Sequence, residues 1–209
     1  MYKKVAATSI LVLIAFVFLF LSVLRSSKIK YEFDEIPAIQ RVIRSDNAKI
    51  EINYPLLYPG SILPNSVLWP LKVTRDKLWL LVTTDELKKA EVSLLLADKR
   101  LASVQEIINT QDFQLVLETL QKAEMYLEKA YLEEEKARSK GADTSQFLKK
   151  YIYATLKHRQ ILEETLSQAP ENAKPLIVRI LDIPKTLYQD TKKSLMQEGQ
   201  TFPENPFEG

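Results

Sequence analysis

The feature that most restricts how this chain folds lies in its middle. Between Thr84 and Ile108, the residues Leu87, Ala90, Leu94, Ala97, Leu101, Val104 and Ile108 recur at alternating spacings of three and four. That is a seven-residue repeat with apolar a and d positions, and such a stripe needs other helices to cover it. A second run of the same kind follows at Phe113, Val116, Leu120, Ala123, Leu127, Ala130 and Ala137. The polar break Asn109–Asp112 between them is short, which predicts antiparallel neighbours, with Asp112 capping the second helix. Alanines at 90, 97, 123 and 130 allow the two backbones a close approach.

Gly141 is placed to end the second helix and Asp143 to start a third. From Phe147 to Ala169 the apolar face widens to include Leu148, Tyr151, Ile152, Ala154, Ile161, Leu162 and Leu166, as suits a helix lying in a groove. Pro170 stops it. Residues 171–198 read as a last helical region interrupted at Pro175 and Pro184. Residues 199–209 hold two prolines and few apolar residues, and are expected to form a disordered tail.

The start of the chain is of another kind. Val5–Leu24 carries no charged residue. As a helix it would span about 30 Å, the thickness of a bilayer's hydrocarbon core. Its length, and the absence of a small-residue cleavage site behind it, favour an uncleaved anchor over a signal peptide. Lys3, Lys4, Arg25, Lys28 and Lys30 flank it on both sides. Charge therefore orients it weakly, but the short amino-terminal tail favours an extracytoplasmic soluble region. Those five residues are part of 29 Lys and Arg, while none of the 27 Asp and Glu lies in residues 1–30. The rest of the chain is thus slightly acidic with interleaved signs, which argues against a nucleic-acid partner. There is no cysteine, so disulfides, thiolate metal sites and a cysteine nucleophile are excluded.

Residues 31–63 show no sustained period and read as a linker. Ile36–Ile43 suggests a helical turn or two after Pro37, and Ala48–Tyr54 alternates as an extended segment does. Pro55, Pro59, Gly60 and Pro64 exclude a long element. Ser66 can then cap a helix in which Pro70 sits early, with Leu68, Leu71, Leu78, Trp79 and Val82 as its core side. Trp69 and Trp79 are expected as core fillers under a helix junction. Thr83 with Glu86 fits a capping box for the next helix.

The run Ile62-Leu63-Pro64-Asn65-Ser66-Val67-Leu68-Trp69-Pro70-Leu71-Lys72 is distinctive. With Lys88-Lys89-Ala90-Glu91 and Asp98-Lys99-Arg100-Leu101, it resembles the bacterial family called domain of unknown function 5667. The family's start pairs Leu-Pro with a later Tyr-Pro and Leu-Lys; here Trp69 stands for the tyrosine and Asn65 for an acidic residue. The resemblance covers about residues 62–130. It implies a small helical domain, often in bacterial membrane or exported proteins, and brings no catalytic residues with it.

The chemistry-bearing residues are few. His158 is the sole histidine and lies on the apolar face, seven residues after Tyr151, where a packed, hydrogen-bonded role is expected. No Glu-x-x-His pair exists for a di-iron bundle, and no G-x-S-x-G turn for a serine nucleophile. Glu133, Glu134 and Glu135 fan out by about 100° each along a helix, and read as a solvated face with Glu134 pairing Arg138. No phosphate-cradling glycine loop is present.

The expected fold is all-α. It comprises a transmembrane anchor in 1–30, a linker in 31–63, a bundle of three long helices plus shorter ones in 64–198, and the tail. No catalytic, cofactor-binding or metal site is assigned. The expected function is that of a single-pass, membrane-anchored, extracytoplasmic interaction or structural module, with the bilayer held through Val5–Leu24. Its protein partner is unidentified, and self-association is left open. The alternatives are a regulatory or sensory component signalling to a membrane partner and, remotely, a hydrolase built on His158.

Overall fold

The computed structural model describes residues 40–42, 49–110 and 112–208. The anchor Val5–Leu24 and most of the first half of the 31–63 linker lie outside the described residues. Among the described residues, no helix is long and apolar enough to cross a membrane.

The described chain is all-helical apart from one small hairpin. Strands β1 (Gln40–Val42) and β2 (Lys49–Glu51) pair antiparallel, with Arg41 opposite Ile50. Gln40–Val42 is thus extended, where a helical turn is expected from the sequence. Five helices follow: α1 (Trp69–Val82), α2 (Glu86–Ile107), α3 (Phe113–Ser139), α4 (Ser145–Gln168) and α5 (Lys174–Gln197). The bundle therefore has four long helices rather than three. α5 runs unbroken through Pro184, which loses one backbone hydrogen bond but is itself buried. Pro175 sits in the first turn, where a missing N–H costs little.

Two helical hairpins make the bundle. α2 packs on α3 more extensively than any other pair does, and α4 on α5. Ala90, Ala97, Ala123 and Ala130 are fully buried, as their small size between close backbones requires. α2 is the central element: from Val92 to Val104 every residue except Lys99 is buried, far more than its heptad stripe. Asp112 caps α3 by accepting from the Leu115 N–H at 3.0 Å. Asp85, not Thr83, caps α2, accepting from the Lys88 N–H at 2.8 Å; the Thr83 hydroxyl instead donates back to the Trp79 carbonyl, closing α1. At the end of α3, Gly141 has φ +86°. Its N–H donates to the Arg138 carbonyl and that of Ala142 to the Ala137 carbonyl, a Schellman closure that a side chain at 141 would strain.

Two stretches expected to lie outside the domain belong to it. Ile52 and Tyr54, within the 31–63 linker, are buried in the core. The Ile52 N–H donates to Gln160 Oε1 at 2.9 Å, and Lys157 Nζ donates to the Ile52 carbonyl at 3.1 Å. At the other end, the supposed disordered tail packs. Phe202 and Phe207 lie against the core, the Tyr188 hydroxyl donates to the Pro203 carbonyl at 2.7 Å, and Arg159 sits 4.5 Å over the Phe207 ring. Two phenylalanines in a short segment are enough apolar surface to bind it down.

Candidate functional site

The buried core is in two parts. One gathers Leu94, Leu96, Leu127, Leu148 and Tyr151; the other gathers Leu101, Val104, Leu120, Leu162 and Ile177. Between them lies a polar layer with one residue from each of α2, α3 and α4: Asp98, Glu124 and His158. Asp98 sits between Leu94 and Leu101, Glu124 between Leu120 and Leu127, and His158 between Leu156 and Ile161, so each interrupts an apolar face. His158 Nδ1 donates to Glu124 Oε1 at 2.6 Å, and Nε2 faces Asp98 Oδ1 at 3.4 Å. The Tyr54 hydroxyl donates to Asp98 Oδ2 at 2.7 Å.

Burial alone would lower the imidazole's pKa. The Glu124 carboxylate and the hydrogen bonds to both acids overcome this and raise it to about 9. Burial and Asp98 push the Tyr54 phenol well above its ordinary value, keeping it a neutral donor. Lys150, lowered to about 8 by burial, has its ammonium supported by Asp98 and Glu91. At neutral pH the layer therefore pairs two carboxylates with an imidazolium and a neighbouring ammonium. His158 is fully buried with both nitrogens engaged, as the packed reading of it expects. Its partners are what the sequence reading missed. The available signal was an acid at a helix-face position flanked by leucines, present at both 98 and 124.

A second buried pair fixes α1 to α2. Arg100 Nη2 reaches Asp76 Oδ2 at 3.3 Å, while Arg75 Nη2 holds Asp76 Oδ1 at 2.8 Å. The Arg100 guanidinium also lies 4.4 Å over Tyr126 and 5.8 Å from the Trp69 ring. Glu134 makes a third. It is fully buried, not solvated, accepting from Arg138 Nε at 2.9 Å and from the Thr144 hydroxyl at 2.6 Å. Its position four residues after Ala130 places it on the buried stripe, which overrides its charge. Among the described residues, no three His, Asp or Glu side chains are grouped so as to hold a metal ion.

The surface between α1 and α3 is open. A groove of about 370 Å³ is lined by Trp69, Val73, Arg100, Leu115, Lys122 and Tyr126. A shallower one of about 620 Å³ continues it past Leu81, Lys89, Met125, Lys129 and Leu132. Lys77, Met125 and Tyr126 line both. Trp79 is a buried filler as expected, whereas Trp69 is half-buried and forms one wall of the groove.

The Leu-Pro to Leu-Lys run is a structural clasp. Lys72 Nζ donates to the Pro59 carbonyl at 2.6 Å and the Ile62 carbonyl at 2.9 Å, and lies 4.9 Å over the Trp69 ring. Burial lowers its pKa to about 8. Gly60, at φ +91° beside that ammonium, lets the loop turn back to it. The family described as Domain of unknown function (DUF5667) matches residues 61–172, from this clasp to the end of α4. The chain belongs to that family. The match extends well beyond the 62–130 span in which the resemblance is first visible, and leaves α5 and the packed tail outside it. No curated protein and no solved structure matches the chain.

Proposed function

We propose that this chain is a non-enzymatic, membrane-anchored, extracytoplasmic module that binds a protein partner in the groove between α1 and α3. The observation that carries this is where the polar and apolar groups have gone. The clustered charges of the interior are tied to one another, and the polar layer touches neither groove. The groove, in contrast, presents apolar side chains to water: Leu81 is 76% exposed, Leu132 47% and Met125 42%. Tyr126 and Trp69 form aromatic walls, and an amphipathic helix laid in such a groove finds anchors at helical spacing. Lys77, Lys89, Lys122 and Lys129 outnumber Glu118 and Glu128 along it, so an acidic amphipathic segment is the favoured ligand. The anchoring half of the reading is supported by the charge-free run Val5–Leu24.

The test is site-specific photocrosslinking in intact cells, with the photoreactive residue at Met125 and, as control, at Lys192 beside the tail. One discrete adduct at 125, absent at 192 and lost with Leu81→Asp, is expected. No adduct at 125 across several growth conditions would overturn the binding role. Protease digestion of residues 31–209 from outside stripped cells checks the orientation.

A further inference from the structure

We propose that the outward side of α1 lies in the headgroup region of the bilayer, making α1 an interfacial helix as well as one wall of the groove. This rests on the anchored reading of Val5–Leu24.

α1 carries apolar side chains on its outer side as well as its inner one. Its buried residues are Asp76, Trp79 and Leu80. Its exposed ones include Leu71 at 51%, Leu81 at 76% and Val82 at 49%. At 100° per residue these three fall within an arc of about 100°, shared with the exposed Thr74 and with Leu78, which is partly buried against the core. Val67 at 95% and Leu68 at 55% carry the exposed surface into the turn ahead of the helix. The periodicity places Leu68, Leu71 and Val82 with Leu78 and Trp79 on the core side; Asp76, paired with Arg100, shares the inner face with Trp79 and Leu80, and Leu68, Leu71 and Val82 are left outside.

Two features identify the occupant. Basic residues edge the stripe: the exposed Lys77 on one side, and on the other Arg75, which is partly exposed while its guanidinium also holds Asp76. An apolar stripe between cations is the pattern of a helix that settles at the surface of an anionic membrane. The lipid is also at hand. Residues 25–39 join the charge-free run to β1, and at about 3.5 Å per residue they span at most about 50 Å. A tethered surface meets the membrane as an intramolecular event, so a modest affinity suffices. Leu81 borders both stripe and groove, so bilayer and partner would meet along that edge.

The absence of cysteine provides a clean test on the full chain. Single cysteines replace Leu71, Ile14 within the anchor run, or Ser167 on exposed α4 surface, and each carries a nitroxide. The protein is reconstituted in phosphatidylcholine vesicles with and without phosphatidylglycerol. Collision with oxygen and with a water-soluble nickel chelate is then compared. At 71, a several-fold rise in the oxygen-to-nickel ratio over 167 is expected, larger with the anionic lipid and reduced by Lys77→Glu. An aqueous ratio at 71 with a deep-lipid ratio at 14 overturns the inference and leaves the anchor standing. An aqueous ratio at 14 overturns the anchored reading itself. Protection of 71 from both reagents means protein covers the stripe, and also overturns the inference; relief on lowering the protein-to-lipid ratio would identify a second copy.

Discussion

Removing the imidazole from the polar layer should change how stability depends on pH. His158 has a pKa near 9 in the folded chain, against an ordinary value of 6.5. A proton held more tightly in the folded state stabilises it fully below pH 6.5, and that stabilisation is lost as pH rises through 9. The whole effect is about 3 kcal/mol, of which roughly half is lost between about pH 6.5 and pH 8. For a domain of this size, that half corresponds to a Tm fall of about 5 °C. Lys72 and Lys150, both lowered to about 8, act in the opposite sense: the unfolded chain holds their protons longer, so they favour folding as pH rises above 8. The informative quantity is therefore the difference between the native chain and His158→Gln. Thermal unfolding in mild detergent, followed by far-ultraviolet ellipticity, should show the native protein losing about 5 °C relative to the variant over that range. Parallel pH profiles would show that folding does not raise the imidazole's pKa, and the charge pairing argued for this layer would be wrong.

Three further outcomes follow from the same packing. Arg100→Gln should cost up to about 3 kcal/mol in denaturant unfolding, because Asp76 stays buried with only Arg75 to hold it; Arg100→Gln with Asp76→Asn should recover most of that loss. Phe207→Ala should cost about 1 kcal/mol and speed amide exchange in residues 199–208, whereas a loose tail would show neither effect. Replacing Tyr54, Asp98, Glu124 and His158 together by Phe, Leu, Leu and Leu should restore or exceed native Tm, although His158→Gln alone lowers it near neutral pH; a loss as large as the single variant's would show the layer to be net stabilising.

Much of the bundle is legible because helix periodicity is a long-range signal. The stripe from Leu87 to Ile108 and the stripe from Phe113 to Ala137 identify the α2–α3 hairpin, and Asp112 and Gly141 mark where α3 starts and stops. What periodicity cannot register is a short segment held by its ends. Ile52 is fixed by Gln160 and Lys157, residues more than a hundred positions away, and no local pattern announces that bond. The tail is similar: Phe202 and Phe207 are too few to form a period, yet each finds an apolar or cationic partner.

The charged residues were harder to read, and for one reason. A helix position is buried by geometry, and a charge found there is tolerated when a partner arrives from another helix. Glu134, Asp98 and Glu124 all occupy leucine-like positions; Asp98 and Glu124 are held by His158, distant in sequence, and Glu134 by the nearby Arg138 and Thr144. At α1 the same logic has the opposite result. Asp76 shares the inner face with Trp79 and Leu80 to meet Arg100, while Leu71 and Val82, expected on the core side, lie at the surface. Along the stripes of α2 and α3 apolar pattern and burial agree except at the buried charges, whereas at α1 apolar side chains themselves are left in water, and such breaks are where a chain most often keeps its function.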